Sequence, residues 1–257
     1  MSDFQKMASS GLSLDARVDA NKKSQKINFG DWAHNFLSPR LNDDVLEVGC
    51  GTGSQTITIS RAIGKGGSIT FLDISAESVS KVEAEVMGVT RAKGVVGDMD
   101  SLSALIGDSD QNYDLAFSAY AIYYAKFPKE VLQTMTQRLK PNGKLCILGP
   151  ETPHGFVELA RKFHAIPDGV DLSLNFRTSV LESFLKENFG VVQTSIIKNP
   201  QYFTNPEDVM NFYRNTTYFV SKSEIEIGRY VELEFKKRST FVLDKYSYAS
   251  CATERLY

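Results

Sequence analysis

Asp44-Val45-Leu46-Glu47-Val48-Gly49-Cys50-Gly51-Thr52-Gly53-Ser54-Gln55 is the stretch around which the 257-residue chain is organised. Val45, Leu46 and Val48 supply the short apolar run of a buried parallel strand. Three glycines at alternate positions then make a turn whose main chain a ligand can approach closely. Thr52, Ser54 and Gln55 open a helix that carries Ile57, Ile59, Ala62 and Ile63. The free N–H groups at such a helix start suit an anion, for instance the carboxylate of a ligand.

Two ligand-binding loops share this strand-turn-helix layout. The dinucleotide fingerprint GxGxxG, started at Gly49, needs a glycine at position 54, where the chain has Ser54. The acidic-x-GxGxG pattern is met at each position by Glu47, Gly49, Gly51 and Gly53. Residues 46–53 closely resemble the first motif of the class I methyltransferases that use S-adenosylmethionine (SAM). A glycine turn without a ligand is the remaining reading, so the rest of the chain has to decide.

Composition narrows the classes. Apolar residues make up 42% and charged residues 23%, which suits a globular protein with a sizeable core. The net charge of −2 and a pI near 6.0 give no basic footprint for nucleic acid. No apolar run approaches the roughly 20 residues of a membrane span, and the polar start lacks the apolar core of a signal peptide. Cys50, Cys146 and Cys251 show neither pair nor metal spacing and read as reduced cysteines of a cytoplasmic protein. The three histidines form no ligand pair, so no metal site is expected. Oligomeric state is not readable from the sequence.

Residues 1–25 are polar and read as a mobile start. Phe29, Trp32, Ala33, Phe36 and Leu37 then fall at helical spacing, and Ser38-Pro39 closes that helix. After the glycine loop a second apolar strand, residues 68–73, ends on Asp73, 24 positions after Gly49. An acid there can accept both ribose hydroxyls of an adenosine, or it can favour the start of the following helix. A third strand, 92–96, leads to Asp98-Met99; Asp98 can also cap a helix. A fourth strand, 113–120, passes into the aromatic turn Ala121-Ile122-Tyr123-Tyr124. Pro128 opens a helix with Val131, Leu132, Met135 and Leu139 on one face, and Leu139-Lys140-Pro141-Asn142-Gly143 turns into strand five, 145–148. Strand and helix alternate throughout, which predicts a parallel sheet with ligands at the carboxyl ends of its strands.

The last third is less regular. Helices are expected over 156–163 and 180–189, with Pro167-Asp168-Gly169 as a break. A sixth strand, 191–197, is followed by an aromatic-rich stretch with Tyr202, Phe203, Phe212, Tyr213, Tyr218 and Phe219. A charged helix, 224–237, precedes a last alternating strand, 241–248. The fold expected is α/β: a seven-stranded, mostly parallel, doubly wound sheet with an antiparallel last strand, an N-terminal helix, and a helical cap inserted between strands six and seven. Its parts are an N-terminal helical segment at 1–40, a Rossmann-like core at 41–203 and 240–257, and the cap at 204–239. The aromatics of the cap line a substrate or form the cap's own small core.

The resemblance spans roughly 40–150 and brings further implications. The Tyr113-Asp114 pair and the Leu-Lys-Pro-x-Gly turn are typical of the same family. It implies SAM as cofactor, S-adenosylhomocysteine (SAH) as product, and Glu47, Gly49, Gly51, Gly53, Gln55, Asp73, Ile74, Asp98, Met99 and Ser118 as the cofactor site. Asp98 would meet the adenine amino group and Met99 the ring. For the acceptor, Phe29, Trp32, Tyr123 and Tyr213 are candidates, with His154 and Tyr120 as candidate catalytic groups. Each of these also reads as an ordinary rim or core residue. Ser118-Ala119-Tyr120-Ala121 stands where DNA-adenine and protein-glutamine methyltransferases carry Asn/Asp-Pro-Pro-Tyr, which speaks against those two substrates. The flanks resemble small-molecule methyltransferases more than those acting on nucleic acid or protein, which implies a small-molecule acceptor, methylated at O or N. A non-catalytic SAM-binding sensor or scaffold is the alternative. A nicotinamide-dependent oxidoreductase is less favoured, since Tyr124-Ala125-Lys126 does not give Tyr-x-x-x-Lys.

Overall fold

A computed structural model describes residues 11–107 and 112–256. Residues 1–10, which hold the start of the polar N-terminal stretch, lie outside the described residues. The apolar run ahead of the glycine loop forms β1 (Asp44–Val48), with Val45, Leu46 and Val48 fully buried. Its parallel neighbours are β2 (Ser68–Asp73) on one side and β4 (Tyr113–Ala119) on the other. β3 (Arg91–Val96) continues the sheet beyond β2, and β5 (Leu139–His154) beyond β4, both in parallel. The seven-stranded order is β3-β2-β1-β4-β5-β9-β6, where β6 is Phe189–Lys198 and β9 is Lys245–Arg255. Thr194 Oγ1 meets Ser250 Oγ at 2.9 Å and the Leu256 N–H donates to the Asn188 carbonyl, so numbers rise on one strand as they fall on the other. β6 and β9 are therefore antiparallel. Strand order reverses between β1 and β4, the switch point at which α/β sheets open a crevice for ligands.

Two family-typical motifs are structural ties at the amino ends of these strands. Asp114 Oδ2 accepts from the Asp44 N–H (2.8 Å) and from Lys140 Nζ (2.6 Å), and Lys140 Nζ also reaches Asp44 Oδ2 at 2.8 Å. The Tyr-Asp pair and the lysine of the Leu-Lys-Pro turn thus pin β1, β4 and β5 at the end opposite the crevice.

The chain groups into two compact units. The sheet unit comprises Gly30–Gly149, Phe176–Ser195 and the chain from Tyr248 onward. Its core packs Leu46, Val48, Ala116, Leu145 and Ile147 of the sheet with Val131, Leu132 and Met135 of a helix at Pro128–Gln137. The helical unit comprises Pro150–Asn175, Ile196–Ser247 and the described residues up to Phe29. Its core is aromatic: Phe156, Phe203, Phe212, Tyr213, Tyr218 and Phe241 are all buried together. Phe156 stacks on Tyr213 with ring centroids 5.3 Å apart.

Several expectations need correction. Residues 11–24 form a helix, α1 (Gly11–Ser24), ahead of α2 (Phe29–Leu37); the polar composition hid it because no apolar stripe marks one face. The Pro-Asp-Gly break separates the helix Gly155–Ala160 from a further helix that the sequence pattern does not mark: Asp168–Phe176, which runs through a π turn into the helix Glu182–Asn188. The last strand of the sheet begins at Lys245, because β8 (Phe241–Leu243) pairs instead with β7 (Gln201–Phe203) in a separate two-stranded ribbon. That ribbon joins the helices Pro206–Arg214 and Glu224–Lys237 in the segment between β6 and β9, and the helical unit extends well beyond the 204–239 segment. Cys146 and Cys251 form a disulfide, with Cα atoms 4.1 Å apart on the neighbouring strands β5 and β9, so they are not a pair of separate reduced thiols. Cys50 alone is free, and buried. Cysteine pairing in the fold therefore does not point to a reducing compartment. Among the described residues no helix is long and apolar enough to cross a membrane.

Candidate active site

The glycine loop follows β1 directly. Gly49 and Cys50 both donate to the Leu72 carbonyl, at 2.7 and 3.0 Å, which folds the loop back over the end of β2. Gly49 has φ +86°, and a Cβ there would lie 2.2 Å from the Ala121 Cβ. Gly53 has φ +77°, and its Cβ would lie 2.5 Å from Val82 Cγ2. Both sites demand glycine for handedness and for space. The helix that follows, α3 (Ser54–Ile63), starts at Gly53 without a side-chain cap, so its first N–H groups point outward as a site for negative charge.

Asp73 ends β2 and clamps the loop. One carboxylate oxygen accepts from the Gly51 N–H at 2.8 Å and the other from the Ser75 N–H at 2.9 Å. Each oxygen keeps a second lone pair for a ligand hydroxyl. Ile74 just past β2 and Val96 at the end of β3 are 38% and 50% exposed beside this loop. Asp98 caps the short turn Met99–Ser101 through the Asp100 N–H, and Met99 packs against the core. Asp100 accepts from the Lys126 and Phe127 N–H groups at 2.9 and 2.8 Å, tying the turn after β3 to the segment after β4. No local pattern marks this role of Asp100, because its two partners lie in a distant segment.

Glu47 lies beneath the loop, 1% exposed, with Thr56 donating to it at 2.6 Å. Burial pushes its carboxyl up to about 8; the Thr56 hydrogen bond opposes the rise and the nearby negative charge of Asp73 adds to it. The unfolded chain gives up that proton near 4.5, so stability is fully present below that pH and is lost as pH rises through about 8. We expect urea-unfolding free energies of the wild type to decline across this window. Glu47→Gln, which mimics the neutral acid, should flatten the decline, and an equal slope in both proteins would contradict the buried neutral acid.

Ser118 is fully buried and donates to the Val48 carbonyl at 2.7 Å, so its hydroxyl joins β4 to β1. Two residues on, Tyr120 adopts φ +58°, a left-handed backbone that is uncommon for a bulky residue and concentrates at functional turns. Its N–H donates to Leu148. Tyr123 and Tyr124 follow with ring centroids 4.6 Å apart, and the edge of Phe176 meets Tyr123 at 6.3 Å. Burial first, then Tyr124, Tyr120 and Tyr248, hold the Tyr123 hydroxyl well above its ordinary range, so it is a neutral donor. Trp32 is half-buried and stacks on Phe36.

Phe29, His154 and Tyr213 belong to the helical unit. His154 precedes a short helix at Gly155–Ala160, and its Nδ1 is buried without a hydrogen-bond partner. Burial, reinforced by the charge of Lys245, drives its imidazole down to about 3. Tyr213 is fully buried, and its hydroxyl accepts from the Val220 N–H at 3.0 Å and meets His164 Nε2 at 2.9 Å. That makes it a core tie. Tyr213→Phe should therefore lower stability by about 1–2 kcal/mol, read as a lower urea midpoint. A raised KM for an acceptor with unchanged stability would return Tyr213 to the substrate side.

The geometry fits an adenosine-bearing cofactor: a loop of three left-handed glycines after β1, an acid at the end of β2, exposed apolar side chains beyond it, and Gln55 Oε1 buried without a partner at the start of α3. A family described as a methyltransferase domain matches residues 40–186, more than half of the chain. The chain belongs to the class I SAM-dependent methyltransferases. Members of this enzyme family take their methyl group from SAM. The ubiquinone/menaquinone biosynthesis C-methyltransferase UbiE of Shewanella pealeana is 31% identical over 125 residues, 48% of this chain and 47% of that protein. The chain thus spans about half the length of the curated relatives it matches. Among solved structures, the [4+2]-cyclase SpnF aligns with a TM-score of 0.55 at 17% identity, covering 87% of this chain and 79% of that one. Phosphoethanolamine N-methyltransferase 2 of Haemonchus contortus, solved with SAH, aligns with a TM-score of 0.52 at 14% identity, covering 86% of this chain and 51% of that one. At such identities these two similarities concern the fold alone, and their differing names illustrate that one fold hosts different chemistry.

Proposed function

We propose that the protein transfers the methyl group of SAM to an O or N atom of a small-molecule acceptor that brings its own nucleophilic lone pair. The cradle at the ends of β1–β3 carries this reading: Gly49, Gly51 and Gly53 admit the cofactor to the main chain, Asp73 takes the ribose, and Asp98 with Ile74 and Met99 takes the adenine. Bound there, SAM supplies a methyl group activated by a sulfonium. The chain's own task is to align acceptor and methyl group and to keep water out, which can supply roughly 7–11 kcal/mol. Tyr120 with its left-handed backbone and the Tyr123–Tyr124 ring pair follow β4 and are the side chains we assign to that task. A strong enzymatic base is not part of the proposal. His154, the candidate base, is far too weakly basic at about 3 to take a proton from an alcohol. Amines in their free-base form and oxygens already ionised in water meet this condition.

A carbon acceptor is the second reading, favoured by the name of the Shewanella pealeana relative. The two separate in a panel assay that reads SAH formation with amines, phenols and quinols, followed by product NMR. The proposal predicts O- or N-methyl products and a pH profile that follows each acceptor's own pKa. With SAM saturating at every pH, a limb near neutrality common to all acceptors would contradict it. A new C–CH₃ bond would establish the second reading, and SAM binding without turnover on any acceptor would favour a sensor or scaffold.

A further inference from the structure

Glu47 is a carboxyl group enclosed on every side. Its strand neighbours across β2 and β4 are Phe71 and Phe117, both fully buried. Thr56 gives it a hydrogen bond from α3. The titratable groups beside it are Asp73, whose negative charge disfavours a second one, and the thiol of Cys50, which burial keeps protonated. Asp73 in turn holds the Gly51 N–H, so the two acids flank the same glycine loop. An acid in such a setting is neutral until positive charge arrives.

SAM and SAH differ in this respect. SAM carries a sulfonium, an ammonium and a carboxylate, and is a net cation; SAH has lost the sulfonium charge and is neutral overall. We propose that Glu47 reads this difference: it is a neutral acid in the free protein, releases its proton to solvent when SAM occupies the loop, and takes a proton back when the sulfonium has become the thioether of SAH. The inference rests on the SAM reading above. It makes Glu47 a residue that discriminates donor from product through charge, with SAM favoured over SAH increasingly as pH rises towards 8. That the carboxyl stands near 8 in the free protein puts this exchange within reach of ordinary solution conditions.

Calorimetric titration in two buffers of different ionisation enthalpy counts the protons. At about pH 6.5 the ligand α-amino group, with a pKa of about 7.7–8.0, stays charged and contributes little. We expect about one proton released per SAM bound by the wild type, close to none per SAH, and none with either ligand for Glu47→Gln. Wild-type affinity for SAM should tighten by up to about tenfold per pH unit below pH 8, while that for SAH stays level. No release with SAM, equal release with SAM and SAH, or release that persists in Glu47→Gln would overturn the proposal. The wild-type comparison alone is decisive if the variant does not fold. A protein that binds neither ligand at any pH would instead remove the SAM reading itself, a result told apart by the absence of binding heat.

Discussion

Gly49→Ala should remove cofactor binding and destabilise the sheet unit by about 2–5 kcal/mol. Two costs combine. A left-handed backbone is unfavourable for alanine by about 1–2 kcal/mol, and Gly49 stands at φ +86°. The new methyl would also sit 2.2 Å from the Ala121 Cβ, and forcing extra volume into packed structure costs about 1–3 kcal/mol. Ala121 begins the turn that carries Tyr123 and Tyr124, so relief by movement would disturb the acceptor side as well. Urea unfolding and SAH titration of the same preparation check both parts. A Gly49→Ala protein with wild-type stability would mean that the turn is looser than its hydrogen bonds to Leu72 imply.

Asp73→Ala should weaken SAH binding by more than tenfold. Its carboxylate accepts the Gly51 and Ser75 N–H groups and, in the function proposed, both ribose hydroxyls. Hydrogen bonds to a charged group contribute about 1.5–3 kcal/mol each, and about 1.4 kcal/mol is a factor of ten in affinity. Asp73→Asn keeps one acceptor oxygen but turns an amide toward the other N–H, so its affinity should fall between wild type and alanine. Stability separates the two duties of the residue. A fall in binding with unchanged unfolding free energy assigns Asp73 chiefly to the ligand; parallel losses assign it chiefly to the loop. Wild-type affinity in Asp73→Ala would remove the ribose assignment.

The sheet was legible because its signals are local. β1 and β2 are short apolar runs bounded by glycine or an acid, and the loop spacing after β1 fixes where the backbone must be bare. What escaped depends on partners far away in sequence. Cys146 and Cys251 become neighbours only once β9 is seated between β5 and β6. His154 looked like a base because residue type is visible and Lys245 beside it is not. Tyr213 looked like a substrate contact because an aromatic-rich stretch does not reveal which side chains turn inward; its hydroxyl is occupied by Val220 and His164. Glu47 was legible as part of a motif, yet its protonation state follows from its burial, which outweighs the Thr56 hydrogen bond and is reinforced by Asp73, and the pattern encodes none of these. Helix α1 carries too little apolar periodicity to be seen, and its Asn21 side chain is held by Gln201 and Lys245 from the other end of the chain.

The central claim is that the loop after β1 holds SAM. Calorimetric titration of the purified protein with SAH, with NADH as the control, tests it most directly. Micromolar or tighter binding of SAH, one per chain, with no heat from NADH, is the result expected from the Gly49–Gly53 cradle and the Asp73 clamp. No binding of SAH would contradict the account, and binding of NADH in its place would return the loop to the dinucleotide class that Ser54 argues against.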